Sequence, residues 1–82
     1  MARYGTETKL KPEEVIERAE AYFGEKGLGL EISEKDPCCI YLVGGGGHVF
    51  ITAPAGEPKT KVDLETREWD YHVRKFIGAI HS

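Results

Sequence analysis

Apolar residues repeat with two different periods along this chain, and the periods separate helices from strands. Between Pro12 and Phe23 the apolar positions follow the spacing i, i+1, i+4, i+7, i+8, which places them on one side of an α-helix. These positions are Val15, Ile16, Ala19, Tyr22 and Phe23. Pro12 suits the first helical position, and Gly24 with Gly27 favours an end at 23–26. The pattern predicts a first amphipathic helix.

A second helical stripe occupies the end of the chain. Its apolar residues recur at i, i+4, i+7, i+8 and i+11, and they are Trp69, Val73, Phe76, Ile77 and Ile80. Thr66 has a hydroxyl that can accept a hydrogen bond from the first turn, so we expect it to be the N-cap. The spacing predicts a helix over 66–80.

Between the helices, apolar and polar residues alternate, which is typical of half-buried strands. Four segments show this period: 28–33, 38–43, 48–53 and 59–64. Residues 34–37 read as a tight turn and residues 54–58 as a loop, because both contain Pro with other turn formers. Lysines in the last segment indicate an edge strand.

The order of elements is therefore helix, four strands, helix, and it predicts an α+β fold. Short connections favour a four-stranded antiparallel meander, and two amphipathic helices can cover one face of it in a two-layer sandwich. Another position for the fourth strand remains open. Residues 1–9 are polar and without period, so we expect a flexible arm before a single domain at 10–82.

Four glycines, Gly44, Gly45, Gly46 and Gly47, separate the two central strands and set their register. A hairpin centred on them pairs Val43 with His48 and Tyr41 with Phe50, and the alternation then divides the strands into two faces. The face that the helices would cover holds Leu28, Leu30, Ile32, Cys38, Ile40, Leu42, Val49, Ile51, Ala53, Val62 and Leu64. The other face, called the open face below, holds Glu31, Ser33, Cys39, Tyr41, Val43, His48, Phe50, Thr52, Lys59, Lys61 and Asp63.

The open face is more apolar at its centre than a solvated sheet surface requires, because Tyr41 and Phe50 form a cross-strand aromatic pair beside Val43 and Cys39. A polar rim around an apolar patch is typical of a contact surface. The alternative is that the pair only stabilises the hairpin and that the N-terminal arm folds over it.

The glycine run and the cysteines are the other candidates for chemistry. Glycines can cradle phosphate, but these lead into a strand and not into a helix, so a hairpin turn is the simpler interpretation. Because two glycines suffice for a turn, a mobile loop that orders over a ligand is a further hypothesis. Cys38 and Cys39 should point to opposite faces of a strand, with Cys38 in the core and Cys39 near His48 as a candidate reactive thiol. No metal-ligand spacing occurs, so no cofactor or metal is predicted.

Composition narrows the function classes. The chain has 82 residues, 40% of them apolar and 30% charged, with a formal net charge of −3, which disfavours a general nucleic-acid partner. It lacks an apolar stretch that could span a membrane or serve as a secretory signal, so we expect a cytoplasmic protein. The pattern favours a small non-enzymatic domain that associates with itself or with a protein partner through the open face. The alternative is a ligand- or nucleic-acid-binding module that uses the sheet aromatics, Lys59, Lys61 and the glycine loop.

Overall fold

A computed structural model describes residues 2–54 and 59–81 and shows an α+β fold with one antiparallel sheet and two helices. The elements in chain order are β1 Ala2–Thr8, α1 Pro12–Phe23, β2 Glu31–Asp36, β3 Cys39–Gly44, β4 Gly47–Thr52, β5 Thr60–Arg67 and α2 Asp70–Ile80. The loop predicted at 54–58 lies outside the described residues except for Pro54. Within the described ranges, neither helix has the length and apolar content needed to cross a bilayer.

The sheet has five strands in the order β1-β5-β4-β3-β2, so the prediction of four strands is wrong. Residues 2–8, expected as a flexible arm, form β1 and pair with β5 from Ala2 opposite Thr66 to Thr8 opposite Thr60. As a result β5 lies between β1 and β4 and is not the edge strand that its lysines indicated. Consecutive strands from β2 to β5 are neighbours, as expected for a meander.

Three buried threonines explain why the alternation of apolar and polar residues was incomplete in β1 and β5. Thr8, Thr60 and Thr66 are almost fully buried, and each hydroxyl has a main-chain partner. The hydroxyl of Thr60 donates to the Leu10 carbonyl (2.7 Å), and the hydroxyl of Thr66 donates to the His48 carbonyl (2.8 Å). The Thr8 hydroxyl accepts from the Leu10 N–H (3.2 Å). Hydrogen bonding removes most of the cost of burying a polar group, so threonine serves here as a core residue.

Thr66 is therefore a strand residue and does not cap the last helix, which begins at Asp70. The apolar stripes of the two helices are otherwise as predicted. Both helices pack on the same face of the sheet, and their contact includes Phe23 and Phe76, whose ring centroids lie 5.4 Å apart. Such an aromatic pair contributes about 0.5–1.5 kcal/mol beyond its buried area. The core comprises Val15, Ile16, Ala19, Phe23, Leu30, Ile40, Leu42, Val49, Ile51, Ala53, Val62, Leu64, Val73, Phe76 and Ile80.

The β2 strand departs most from prediction. It starts at Glu31, continues to Asp36 and carries a bulge between Ile32 and Glu34, so the turn expected at 34–37 is restricted to Pro37 and Cys38. Ile32 and Cys38 were assigned to the covered face, but both are exposed because β2 is the edge strand and Cys38 lies in the turn. A bulge and charged side chains are common protections of a sheet edge.

Candidate functional site

The central hairpin has the predicted register. Cys39 pairs with Thr52, Tyr41 with Phe50 and Val43 with His48, and the ladder closes at Gly44 opposite Gly47. Gly45 and Gly46 form the two-residue turn with φ angles of +57° and +78°. Positive φ at both central residues is the requirement of a type I′ hairpin turn, and glycine meets it without a steric cost.

The glycine loop packs against the segment between β5 and α2. The indole N–H of Trp69 donates to the Gly44 carbonyl (2.9 Å), and a Cβ on Gly45 would lie 2.9 Å from Cζ2 of the same indole. A Cβ on Gly47 would lie 2.0 Å from the Arg67 carbonyl oxygen. Close approach of the Arg67 main chain thus explains the glycine at position 47, which lies beyond the turn, and the hypothesis of a mobile loop gains no support.

The centre of the open face is a cluster of three rings on β3 and β4. The ring of Tyr41 stacks on His48 with a centroid distance of 5.6 Å and an interplanar angle of 12°, and it lies 5.5 Å from the Phe50 ring. Val43 and Thr52 flank the rings, and all five side chains are half-buried. The β1 strand does not fold over them, because it extends the sheet beyond β5. Within residues 2–54 and 59–81 both helices lie on the opposite side.

Charged residues surround this cluster unequally. On the β2 side, Glu31 pairs with Val43, Glu34 with Tyr41 and Asp36 with Cys39, which places three carboxylates on the open face. On the other side, opposite charges lie across from each other on neighbouring strands: Arg3 opposite Glu65, and Glu7 opposite Lys61. The open face is therefore acidic along β2 and nearly balanced along β5 and β1.

The structure does not bring the predicted phosphate-binding residues together. The glycine loop lies at the end of the sheet where His48 pairs with Arg67, whereas Lys61 pairs with Glu7 near the other end of β5. Six residues of extended strand separate Lys61 from Arg67, a distance of roughly 20 Å. Lys59 precedes β5 beside the Lys61 end. One phosphate cannot contact both the loop and these lysines.

The two cysteines differ from expectation in exposure and in direction. Cys38 is exposed and Cys39 is half-buried, and their Sγ atoms lie 2.8 Å apart. The hydrogen bond with Cys38 raises the pKa of the Cys39 thiol to about 11, and burial and the Asp36 carboxylate act in the same direction. The row formed by Tyr41 and Phe50 separates Cys39 from His48, so the structure provides no thiol–imidazole pair.

The remaining histidines have structural partners. His72 Nδ1 lies 3.3 Å from the Tyr22 hydroxyl, and its ring is 5.9 Å from that of Trp69. His81 Nδ1 lies 2.9 Å from the Thr6 hydroxyl. Among the described residues, no three His, Cys, Asp or Glu side chains converge in a way that could hold a metal ion. Sequence reasoning missed the hydroxyl contacts of β1 because it treated that segment as an arm.

No protein-family model matches this chain, and no curated protein sequence is detectably similar to it.

Proposed function

We propose that this protein is a small non-enzymatic association domain whose open face binds the open face of a second copy. The observation that carries the proposal is the cluster of half-buried Tyr41, Val43, His48 and Phe50 on the sheet face opposite the helices. Half-buried aromatic side chains next to one another on an uncovered sheet face form an apolar patch with a polar rim, which is typical of protein contact surfaces.

The charges of the open face favour a second copy over a strongly charged partner. The ring cluster carries no charge when the imidazole of His48 is neutral. The charges on β1 and β5 largely compensate each other, as in Arg3 opposite Glu65. The three carboxylates along β2 are the exception, and they restrict how two copies can face each other. A nucleic acid would instead have to approach the carboxylates of Glu31, Glu34 and Asp36, which repel phosphate.

The acidic β2 side also favours one orientation. If β2 of one copy stacked over β2 of the other, the carboxylates of both strands would face each other at short range, which is destabilising. A two-fold axis parallel to the strands places β2 of each copy over β1 and β5 of the other. That arrangement brings Glu34 of one copy towards the side of the sheet that carries Arg3 and Lys61.

The size of the sheet sets the expected affinity. Five strands at ~4.8 Å spacing, with about six residues each at ~3.3 Å, cover a plane of roughly 24 × 20 Å. Stable specific interfaces bury about 800 Å² per partner. The plane of the open face, about 480 Å² before side-chain relief is counted, is smaller than this value, so we expect a weak dimer in rapid exchange with monomer.

Sedimentation equilibrium over micromolar to millimolar concentration tests the proposal. We expect the unmodified protein to dimerise with increasing concentration and the double variant Tyr41→Thr/Phe50→Thr to stay monomeric. Threonine keeps the strand propensity of both positions, and circular dichroism checks that the fold is retained. The matched control is Tyr71→Ala, which removes an aromatic side chain that is 58% exposed on α2 and should leave dimerisation unchanged.

Two outcomes would contradict the proposal. If the protein remains monomeric at every concentration, it does not self-associate. The open face would then have to bind a protein of different sequence. A double variant that dimerises as strongly as the unmodified protein would show that the contact lies elsewhere on the surface.

A further inference from the structure

The end of the β2–β3 hairpin brings two thiols into contact. Asp36 pairs with Cys39, and Pro37 and Cys38 form the turn between them. Adjacent side chains of a regular strand point to opposite faces, which would keep the two sulfur atoms apart. The turn instead places them on the same side, with a separation of 2.8 Å between the Sγ atoms.

The same turn holds the main chain while leaving one thiol accessible. The Cys38 carbonyl accepts a hydrogen bond from the Ala53 N–H (2.7 Å), which ties the turn to the end of β4. The Cys38 side chain is exposed, and Cys39 is half-buried at the corner of the open face. A reagent in solution can therefore reach Cys38 first, with Cys39 already in contact behind it.

We propose that Cys38 and Cys39 form a vicinal dithiol site that reacts with low-molecular-weight disulfides of the glutathione class and closes to an intramolecular disulfide. In the first step the Cys38 thiolate attacks one sulfur of the reagent, the reagent's S–S bond breaks and one reagent thiolate leaves. In the second step Cys39 releases its proton to solvent, its thiolate attacks Cys38 Sγ, and the second reagent thiolate leaves. In total the two cysteines lose two protons and two electrons, and the reagent disulfide gains them and becomes two thiols.

The environment of Cys39 explains why Cys38 reacts first and Cys39 second. The thiolate is the reacting form of cysteine, and contact with Cys38, burial and Asp36 together raise the pKa of Cys39 to about 11. At neutral pH Cys39 therefore retains its proton and is a poor first nucleophile. It becomes the resolving thiol, because the Cys38 thiol that contributes most to its raised pKa is consumed in the first step.

The disulfide that forms should be easily reduced. The Cα atoms of consecutive residues lie ~3.8 Å apart, whereas the Cα atoms of most disulfides are roughly 4.4–6.8 Å apart. A ring closed between neighbours is consequently strained, and strained disulfides have more oxidising potentials. This chemistry needs only one copy of the chain and does not depend on association through the open face.

The experiment uses the full chain and the variants Cys38→Ser and Cys39→Ser. Each protein is incubated with glutathione disulfide, quenched with acid, treated with N-ethylmaleimide to mark the remaining thiols, and measured by intact-mass spectrometry. We expect the unmodified protein to lose two hydrogen masses, with neither glutathione nor maleimide attached. Each variant should stop at one glutathione adduct, with Cys39→Ser about tenfold faster than Cys38→Ser at neutral pH because its remaining thiol is exposed.

The unfolded protein is the matched control for the geometry. In concentrated urea the two thiols lose their fixed contact, so closure of the folded protein should be about tenfold faster. A stable glutathione adduct on the folded, unmodified protein would overturn the proposal, as would disulfide-linked dimers as the main product. Equal closure rates in folded and unfolded protein would show that the turn does not prepare the reaction.

Discussion

Gly45 and Gly46 form one turn but have different surroundings, so alanine at each position separates backbone strain from contact with Trp69. Both residues have positive φ, at +57° and +78°, and an alanine in this region costs about 1 kcal/mol. A Cβ on Gly46 meets open space, whereas a Cβ on Gly45 would lie 2.9 Å from Trp69 Cζ2. Optimal carbon–carbon separations are ~3.5–4.0 Å, so the indole has to move.

Moving the indole removes a hydrogen bond as well as packing contacts. Its N–H donates to the Gly44 carbonyl, and a hydrogen bond of this kind contributes about 0.5–1.5 kcal/mol. With the lost ring contacts included, we expect Gly45→Ala to lower the free energy of unfolding by about 2–3 kcal/mol, against about 1 kcal/mol for Gly46→Ala. The comparison isolates the contribution of the Trp69 contact.

Urea unfolding measures both variants. Trp69 is the only tryptophan of the chain, so its fluorescence reports the loop directly, and circular dichroism reports the whole fold. In a Trp69→Leu background, followed by circular dichroism, the difference between the two alanine variants should largely disappear because the ring that causes it is gone. Equal losses at Gly45 and Gly46 in the presence of Trp69 would refute the reasoning.

Two further predictions concern Glu68, which follows β5, and Tyr4 of β1. Glu68 is exposed and has a φ of +77°, a backbone conformation that is strained for most residues. Glu68→Gly and Glu68→Asn should therefore each stabilise the fold by about 0.5 kcal/mol, which a higher thermal midpoint would show. A lower midpoint for both variants would contradict the assignment of strain. The Tyr4 hydroxyl donates to Asp70 Oδ2 (2.8 Å), and this bond, followed by burial and the Asp70 charge, raises the pKa of the phenol. Because the folded-state pKa is raised, this contact stabilises the fold below the ordinary tyrosine pKa and is lost as pH rises through the folded-state value. Tyr4→Phe should thus lower the urea midpoint near neutral pH, by an amount that shrinks in alkaline solution. The ultraviolet titration of the variant should lack the phenol of raised pKa; an unchanged titration would argue against the contact.

The parts of the fold that sequence predicts well are those where an apolar period and a steric constraint agree. The hairpin register followed from the central glycines alone, since any turn centred on them pairs Tyr41 with Phe50. The α1 helix begins at Pro12 as predicted and ends within the predicted interval, because proline and glycine mark the two ends of its apolar stripe. At these places one local pattern is compatible with only one arrangement.

The errors at β1 and β5 share one physical cause, the use of hydrogen-bonded threonine as a core residue. Thr8 and Thr66 are buried with their hydroxyls hydrogen-bonded to the main chain. A prediction that counts only apolar residues as buried therefore misses β1 and places the end of β5 too early. The alternation of Tyr4, Thr6 and Thr8 was the available signal, since tyrosine and threonine favour strands. The contact between the cysteines had no such signal, because it depends on where the turn falls.

The pairing of β1 with β5 also determines when this sheet can be completed during folding. The hairpins from β2 to β4 close through two-residue turns, so their contacts are local and can form early. In contrast, Thr8 is the β1 residue nearest in sequence to its partner, and that partner is Thr60. The β1 strand is synthesised before the other strands of the sheet but can pair only after β5 has formed. We expect the amides of β1 to gain protection from hydrogen exchange last.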